Sequence, residues 1–170
     1  MSLLLDAAGP KDDAFVRIED GTELSLQAGA VIVPLTVIDQ AIADRRNTPL
    51  GLHVANDTQV SAIEPYFGAL ALISIGFPSF SDGRGLSLAK RLRRAGFSGT
   101  LRASGPIIAD QFAEALACGF DEVALPPEMA ARQPAEQWTK ARSIVHDHYQ
   151  TGYGEDASIL QKRLAAARGA

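Results

Sequence analysis

Leu70-Ala71-Leu72-Ile73-Ser74-Ile75, then Phe80-Ser81-Asp82-Gly83-Arg84-Gly85-Leu86-Ser87, then the basic run to Ala95 together decide the reading of the fold. The first segment is an apolar run of strand length. The last places Leu88, Ala89, Leu92 and Ala95 on one helical stripe with Lys90, Arg91, Arg93 and Arg94 opposite, and Gly96 supplies a stop. A buried strand, a polar glycine-rich turn and an amphipathic helix in that order make the first two parts of a βαβ unit.

Working outward, further strands are expected at Ala30–Val33, Gly51–Ala55, Thr100–Ala103 and Glu122–Leu125, with helical spacing between them. Pro65 should break or kink the weak helix near Thr58–Phe67. Pro106, the stripe of Ala109, Phe112, Ala113 and Leu116, and Gly119 bound another helix, and Pro134 opens one that carries Trp138, Ala141 and Val145. Nearer the start, Phe15–Ile18 and Leu24–Leu26 flank Glu19-Asp20-Gly21-Thr22, a hairpin signal. The expected fold is therefore α/β: about five mostly parallel strands with crossover helices in an open or partial-barrel sheet, preceded by an N-terminal β-hairpin. A complete eight-fold barrel typically needs ~250 residues. Residues 1–150 are expected to form a single domain, and 151–170 a C-terminal loop and short helix.

Composition sets the bounds. A chain of 170 residues that is 46% hydrophobic can bury a core, and a net charge of -4 argues against general nucleic-acid binding. The longest apolar run, Gly68–Phe77, is about half of what a bilayer requires, and Met1–Pro10 lacks the features of a signal peptide. A cytoplasmic location is expected. The single cysteine, Cys118, excludes an internal disulfide and a multi-cysteine metal site, and reads as a small buried hydrophobe. His146-Asp147-His148 has poor ligand spacing for a helix, so no metal is assigned.

Chemistry in such sheets gathers beyond the carboxyl ends of the strands. The turns after the third and fourth expected strands lie there and carry the unusual residues. Ser81, Asp82, Gly83, Arg84, Gly85, Ser87, Arg102, Ser104, Gly105 and Asp110 form the candidate anion-binding set, suited to phosphate, sulfate, sulfite or carboxylate. The competing reading makes Asp82 and Ser104 helix caps, each contributing ~1 kcal/mol, with Arg84 paired to Asp82 or Asp110. Lys90, Arg91, Arg93 and Arg94 are the candidate docking face for an acidic partner, against the plainer reading of a solvated helix face. No Ser-His-Asp ordering is worth naming, no phosphate-loop Gly-Lys-Ser/Thr is present, and Gly83-Arg84-Gly85 lacks the third glycine of a dinucleotide fingerprint. No catalytic residue and no cofactor is assigned.

Phe80-Ser-Asp-Gly-Arg-Gly-Leu-Ser-Leu-Ala89, Leu92-Arg93, Gly99-Thr-Leu-Arg-Ala103, Gly105, Asp110-Gln111 and Cys118-Gly-Phe-Asp121 resemble an uncharacterised bacterial family, domain of unknown function 934. The resemblance runs roughly from Val31 to Gln150. It implies an accessory protein or oxidoreductase component of assimilatory sulfite reduction, because members accompany the sulfite reductase haemoprotein in sulfur operons. That haemoprotein is the implied partner and a small oxyanion the implied ligand. The chain departs from the family pattern at Gly105-Pro106-Ile107-Ile108, where Gly-Asp-Val-Leu is usual, and at Thr100, where glutamate is usual. The missing aspartate weakens acid–base chemistry in that loop and leaves oxyanion binding intact. The alternative is a small α/β enzyme that binds an anionic substrate or flavin phosphate at the strand carboxyl ends.

Overall fold

The computed structural model describes residues 3–44 and 48–144. Eight strands form one sheet in the order β2-β1-β8-β7-β6-β5-β4-β3. They are β1 Leu3–Asp6, β2 Gly9–Lys11, β3 Phe15–Arg17, β4 Ala30–Pro34, β5 Leu50–Ala55, β6 Leu72–Gly76, β7 Thr100–Ser104 and β8 Glu122–Leu125. From β3 to β8 every neighbouring pair is parallel, whereas β1 runs antiparallel to both β8 and β2. The helices are α1 Ile38–Asp44, α2 Val60–Ile63, α3 Arg84–Arg94, α4 Phe112–Ala117, α5 Pro127–Arg132 and α6 Ala135–Ile144.

Because β3 to β8 follow one another in space as in sequence, each crossover steps in the same direction. Right-handed crossovers then put every connecting helix on one face of the sheet. That face holds the core. Val31, Val33, Leu50, Leu52, Val54, Ile73, Ile75, Leu101, Ala103 and Val123 point toward Ile38, Ala41, Ile63, Leu88, Ala89, Leu92, Phe112 and Ala115. Trp138 of α6 packs edge-on against Phe112 with ring centroids 5.4 Å apart.

The sheet is a curled, open half-barrel, and its connectivity requires the curl. Strands β2 and β3 occupy opposite edges, yet only Asp12, Asp13 and Ala14 lie between them. Four Cα steps span at most about 15 Å, whereas the outer strands of a flat sheet of this width would stand about 33 Å apart. Asp12–Ala14 is thus a strap across the concave side, the face without helices.

Two expectations need correction. The sheet has eight strands instead of about five, and it is only partly parallel. Beyond the five expected strands are β1 and β2, for which no strand was expected, and β3, expected as a hairpin arm; β2 and β3 are three residues long, too short for alternation to show. The hairpin exists but lies at Leu3–Lys11. Phe15–Arg17 instead joins β4 in parallel, and Gly21–Leu26 is a 3₁₀ turn capped by Asp20, whose carboxylate accepts from Thr22 N at 2.8 Å. Pro65 ends α2 as expected, the chain continuing as a 3₁₀ turn over Glu64–Ala69. The proposed tail at 151–170, Val145 and the His146–His148 cluster lie outside the described residues. Among the described residues no helix is long and apolar enough to cross a membrane.

Candidate functional site

Strand alternation gives the concave face its chemistry. While one set of side chains enters the core, the register places His53 beside Ser74, Ser74 beside Arg102, and Arg102 beside Glu122. One polar residue from each of four adjacent strands forms a row across the half-barrel. His53 Nδ1 lies 3.2 Å from Ser74 Oγ. Arg102 Nε donates to Glu122 at 2.7 Å, and its two terminal nitrogens donate to both oxygens of Asp13 at 2.7 and 2.8 Å. Lys11 Nζ completes the network on Glu122 at 2.8 Å.

Arg102 and Glu122 are only 5% and 3% exposed, so the balance of charge decides whether this row is tolerable. Burial opposes the Arg102 charge; the Asp13 and Glu122 carboxylates outweigh it and hold the guanidinium more firmly protonated than usual. Phe15 lies against the same guanidinium, 5.8 Å from ring centroid to Cζ. The strap is therefore fastened to the middle of β7 by a bidentate ion pair.

Above the row, toward the strand carboxyl ends, a cleft opens in two lobes. The lobe of about 310 Å³ is bordered by Asp13, Phe15, Arg17, Ser74, Arg102 and Ser104. That of about 510 Å³ is bordered by His53, Asn56, Asp57, Gly76, Phe77 and Pro78. Arg17, Ser104 and Gly105 border both. Within the cleft Asp13 already faces Arg102 and Asp57 faces Arg84. Among the described residues Arg17 meets only Glu19, at 3.1 Å, in an exposed pair of little energetic weight. His53 is pushed down to about 4, first by burial and then by Arg17, so its ring is neutral at pH 7. The Asn56 amide is buried, and among the described residues its Nδ2 has no hydrogen-bond partner. It stands close enough to Asp82 to favour that carboxylate, without the geometry of a hydrogen bond.

Residues 51–160 match the family model described as "Bacterial protein of unknown function (DUF934)". The chain belongs to that family. The DUF934 match begins at β5, so it takes in His53, Ser74, Arg102, Ser104, Gly105 and Glu122 and leaves out the strap and Arg17. Searches of curated proteins and of solved structures give no match.

The residues singled out in the sequence fall into separate groups. Arg84 opens α3, where its side chain donates to Asp82 through Nε at 3.0 Å and Nη2 at 2.7 Å and reaches Asp57 at 3.5 Å. Arg84 and Asn56 hold Asp82 well below the usual carboxylate range. Ser81 bonds Ser79, their hydroxyls 2.9 Å apart, and Ser87 is exposed on α3. Gly83 precedes α3 with open space around it, while a side chain at Gly85 would overlap the Phe77 ring. Gly105 has φ +137 and passes so close to the Phe77 carbonyl that a Cβ would overlap its oxygen. The expected proximity of the two turns is present: Gln111 Nε2 donates to the Phe80 carbonyl at 2.7 Å. Arg102, Ser104 and Gly105 border the cleft, whereas Asp110 is exposed.

Of the basic face, Lys90, Arg91 and Arg94 are exposed. Arg93 is not free. It donates to the carbonyls of Gly119, Phe97 and Gly99 at 2.9, 2.9 and 2.7 Å and to Asp121 at 2.6 Å, tying the end of α3 to the entries of β7 and β8. Cys118 is buried, and burial pushes its thiol up.

Sequence reasoning gave no role to Arg17, His53, Asn56, Ser74, Asp13 or Glu122. The available signal was phase: His53, Ser74 and Arg102 each interrupt an apolar strand and Glu122 opens one, and aligning those strands puts the four on one face.

Proposed function

We propose that this protein binds a small oxyanion in the concave cleft and acts beside sulfite reductase in bacterial assimilatory sulfite reduction. The observation that carries the anion-binding part is Arg17. It is the cation common to both lobes of the cleft, and its counter-charge Glu19 lies outside while the other cleft charges are paired. A neutral His53 adds no charge, and the Ser104 hydroxyl, which borders both lobes, supplies a polar contact for an anion's oxygens. The link to sulfite reduction rests on the family resemblance. Lys90, Arg91 and Arg94 are suited to meeting an acidic partner surface.

Thermal-shift and titration measurements with sulfite, sulfate and phosphate, run beside co-elution with the sulfite reductase haemoprotein at low salt, test both parts. Stabilisation by an oxyanion together with salt-sensitive co-elution supports the reading. A protein that responds to none of these anions and does not co-elute refutes it.

Lobe volume favours a second reading. Lobes of about 310 and 510 Å³ exceed what a single sulfite ion fills. The bound anion would then be one group of a larger molecule, such as a flavin phosphate, in a small α/β enzyme. Flavin and nicotinamide nucleotides in the same panel distinguish it.

A further inference from the structure

We propose that His53 recognises the cleft's ligand as a neutral hydrogen-bond donor, with its proton held on Nε2 by Ser74, and that the atom it meets is an anionic oxygen. This inference rests on the anion-binding reading above and assigns it a specificity residue.

The argument starts from the Ser74 hydroxyl, on a side chain only 2% exposed. Among the described residues its one hydrogen-bond partner is His53 Nδ1 at 3.2 Å. Two arrangements fit that distance. If Nδ1 carried the proton and donated to Oγ, the serine O–H would be buried with nothing to accept it. The neighbour on its other side in the register, Arg102, has only donors. If the serine O–H donates to Nδ1, the buried hydroxyl is satisfied, and the neutral ring carries its proton on Nε2. An unpaired buried donor is the costlier choice, so the second arrangement is selected.

The ring is aimed to use that proton. A Cβ built on Gly76 would stand 3.3 Å from both Cε1 and Nε2 of His53, which turns this edge of the ring toward the carboxyl end of β6 and the larger lobe. The charged groups around it agree. Arg17 of β3 disfavours a charged imidazole, and Glu19 favours one more weakly. Arg102 of β7 lies beyond Ser74 with Asp13 and Glu122 neutralising it. Asp57 and Asp82, in the loops after β5 and β6, are engaged by Arg84. A neutral Nε2–H and the Arg17 guanidinium, both bordering the larger lobe, are two donors, which together select an acceptor carrying negative charge on oxygen. The pair is unsuited to a cation or to a ligand that presents a donor at this point. His53 thus serves as a donor to the ligand, and proton abstraction would require the other tautomer.

The test reads tautomer and affinity separately. Nitrogen NMR of the imidazole at pH 7.5 should show the proton on Nε2 in the wild type, and Ser74→Ala should give a mixture of tautomers. Sulfite, sulfate and phosphate titrated by calorimetry should bind roughly tenfold more weakly to His53→Ala. His53→Gln, which keeps an N–H in reach, should recover most of that loss. A wild type that binds sulfite with the proton on Nδ1 overturns the donor role alone. If the proton is on Nε2 and none of the three anions binds, the anion-binding reading falls, and the ligand assigned to His53 falls with it. Equal affinity of wild type and His53→Ala also overturns the inference.

Discussion

Arg102 in the middle of β7 and Asp13 in the strap are 89 residues apart in sequence and share two hydrogen bonds of 2.7 and 2.8 Å. This pair fastens the strap, which links the two edge strands, to an interior strand of a sheet that does not close by strand pairing. Removing one partner leaves a buried charge, so Arg102→Met should destabilise the fold by about 3 kcal/mol or more, because Glu122 then retains only Lys11. Urea denaturation measures this directly. Asp13→Ala should cost less, since Arg102 keeps Glu122, and a double-mutant cycle should show strong coupling between positions 13 and 102.

The glycines of the two turns should behave differently on substitution. Gly83→Ala meets open space at a helix start and should change stability by under about 0.5 kcal/mol. Gly85→Ala drives a methyl into the Phe77 ring and should cost about 1–3 kcal/mol. Gly105→Ala combines a left-handed backbone with a clash against the Phe77 carbonyl and should be the worst of the three. Midpoints of thermal unfolding in that order are the expected result.

Much of the fold was legible in the sequence, and the unread part has a physical cause. Strands β4 to β8 each contain an apolar run, and α3 announces itself by Leu88, Ala89 and Leu92 against its arginines. The pairing of Leu3–Asp6 with Glu122–Leu125 is a contact between distant segments that no local pattern encodes. Phe15–Arg17 is too short to show a period, and it carries Arg17, the residue on which the anion-binding reading now turns. Ser104 and Gly105, singled out from local turn chemistry, do border the cleft. His53 and Ser74 were not singled out, because a lone polar residue in an apolar strand acquires meaning only when its neighbours' register is known.

Acid should weaken the fold through His53. Its folded-state pKa of about 4 lies below the ordinary 6.5, so the unfolded chain takes up the proton first. The corresponding stability is fully present above about pH 6.5 and is lost as pH falls toward 4. With part of the ring open to solvent, the loss should be on the order of 1–2 kcal/mol. Urea denaturation between pH 7.5 and 4.5 should show a smaller decline for His53→Gln than for the wild type. Identical declines would mean that His53 is not held neutral by the fold.

The arginines of α3 should separate by role. Arg93→Ala removes bonds to three carbonyls and to Asp121 and should destabilise by about 2–3 kcal/mol. Arg91→Ala and Arg94→Ala should leave the unfolding midpoint unchanged while weakening salt-sensitive association with sulfite reductase.

The central claim places the anion in the concave cleft at Arg17, apart from the Arg84 turn. Calorimetric titration of sulfite into wild type, Arg17→Ala and Arg84→Ala, all verified as folded, tests it most directly. The expected result is a loss of about tenfold or more for Arg17→Ala, with Arg84→Ala within about twofold of wild type. Full affinity in Arg17→Ala together with lost binding in Arg84→Ala would contradict it.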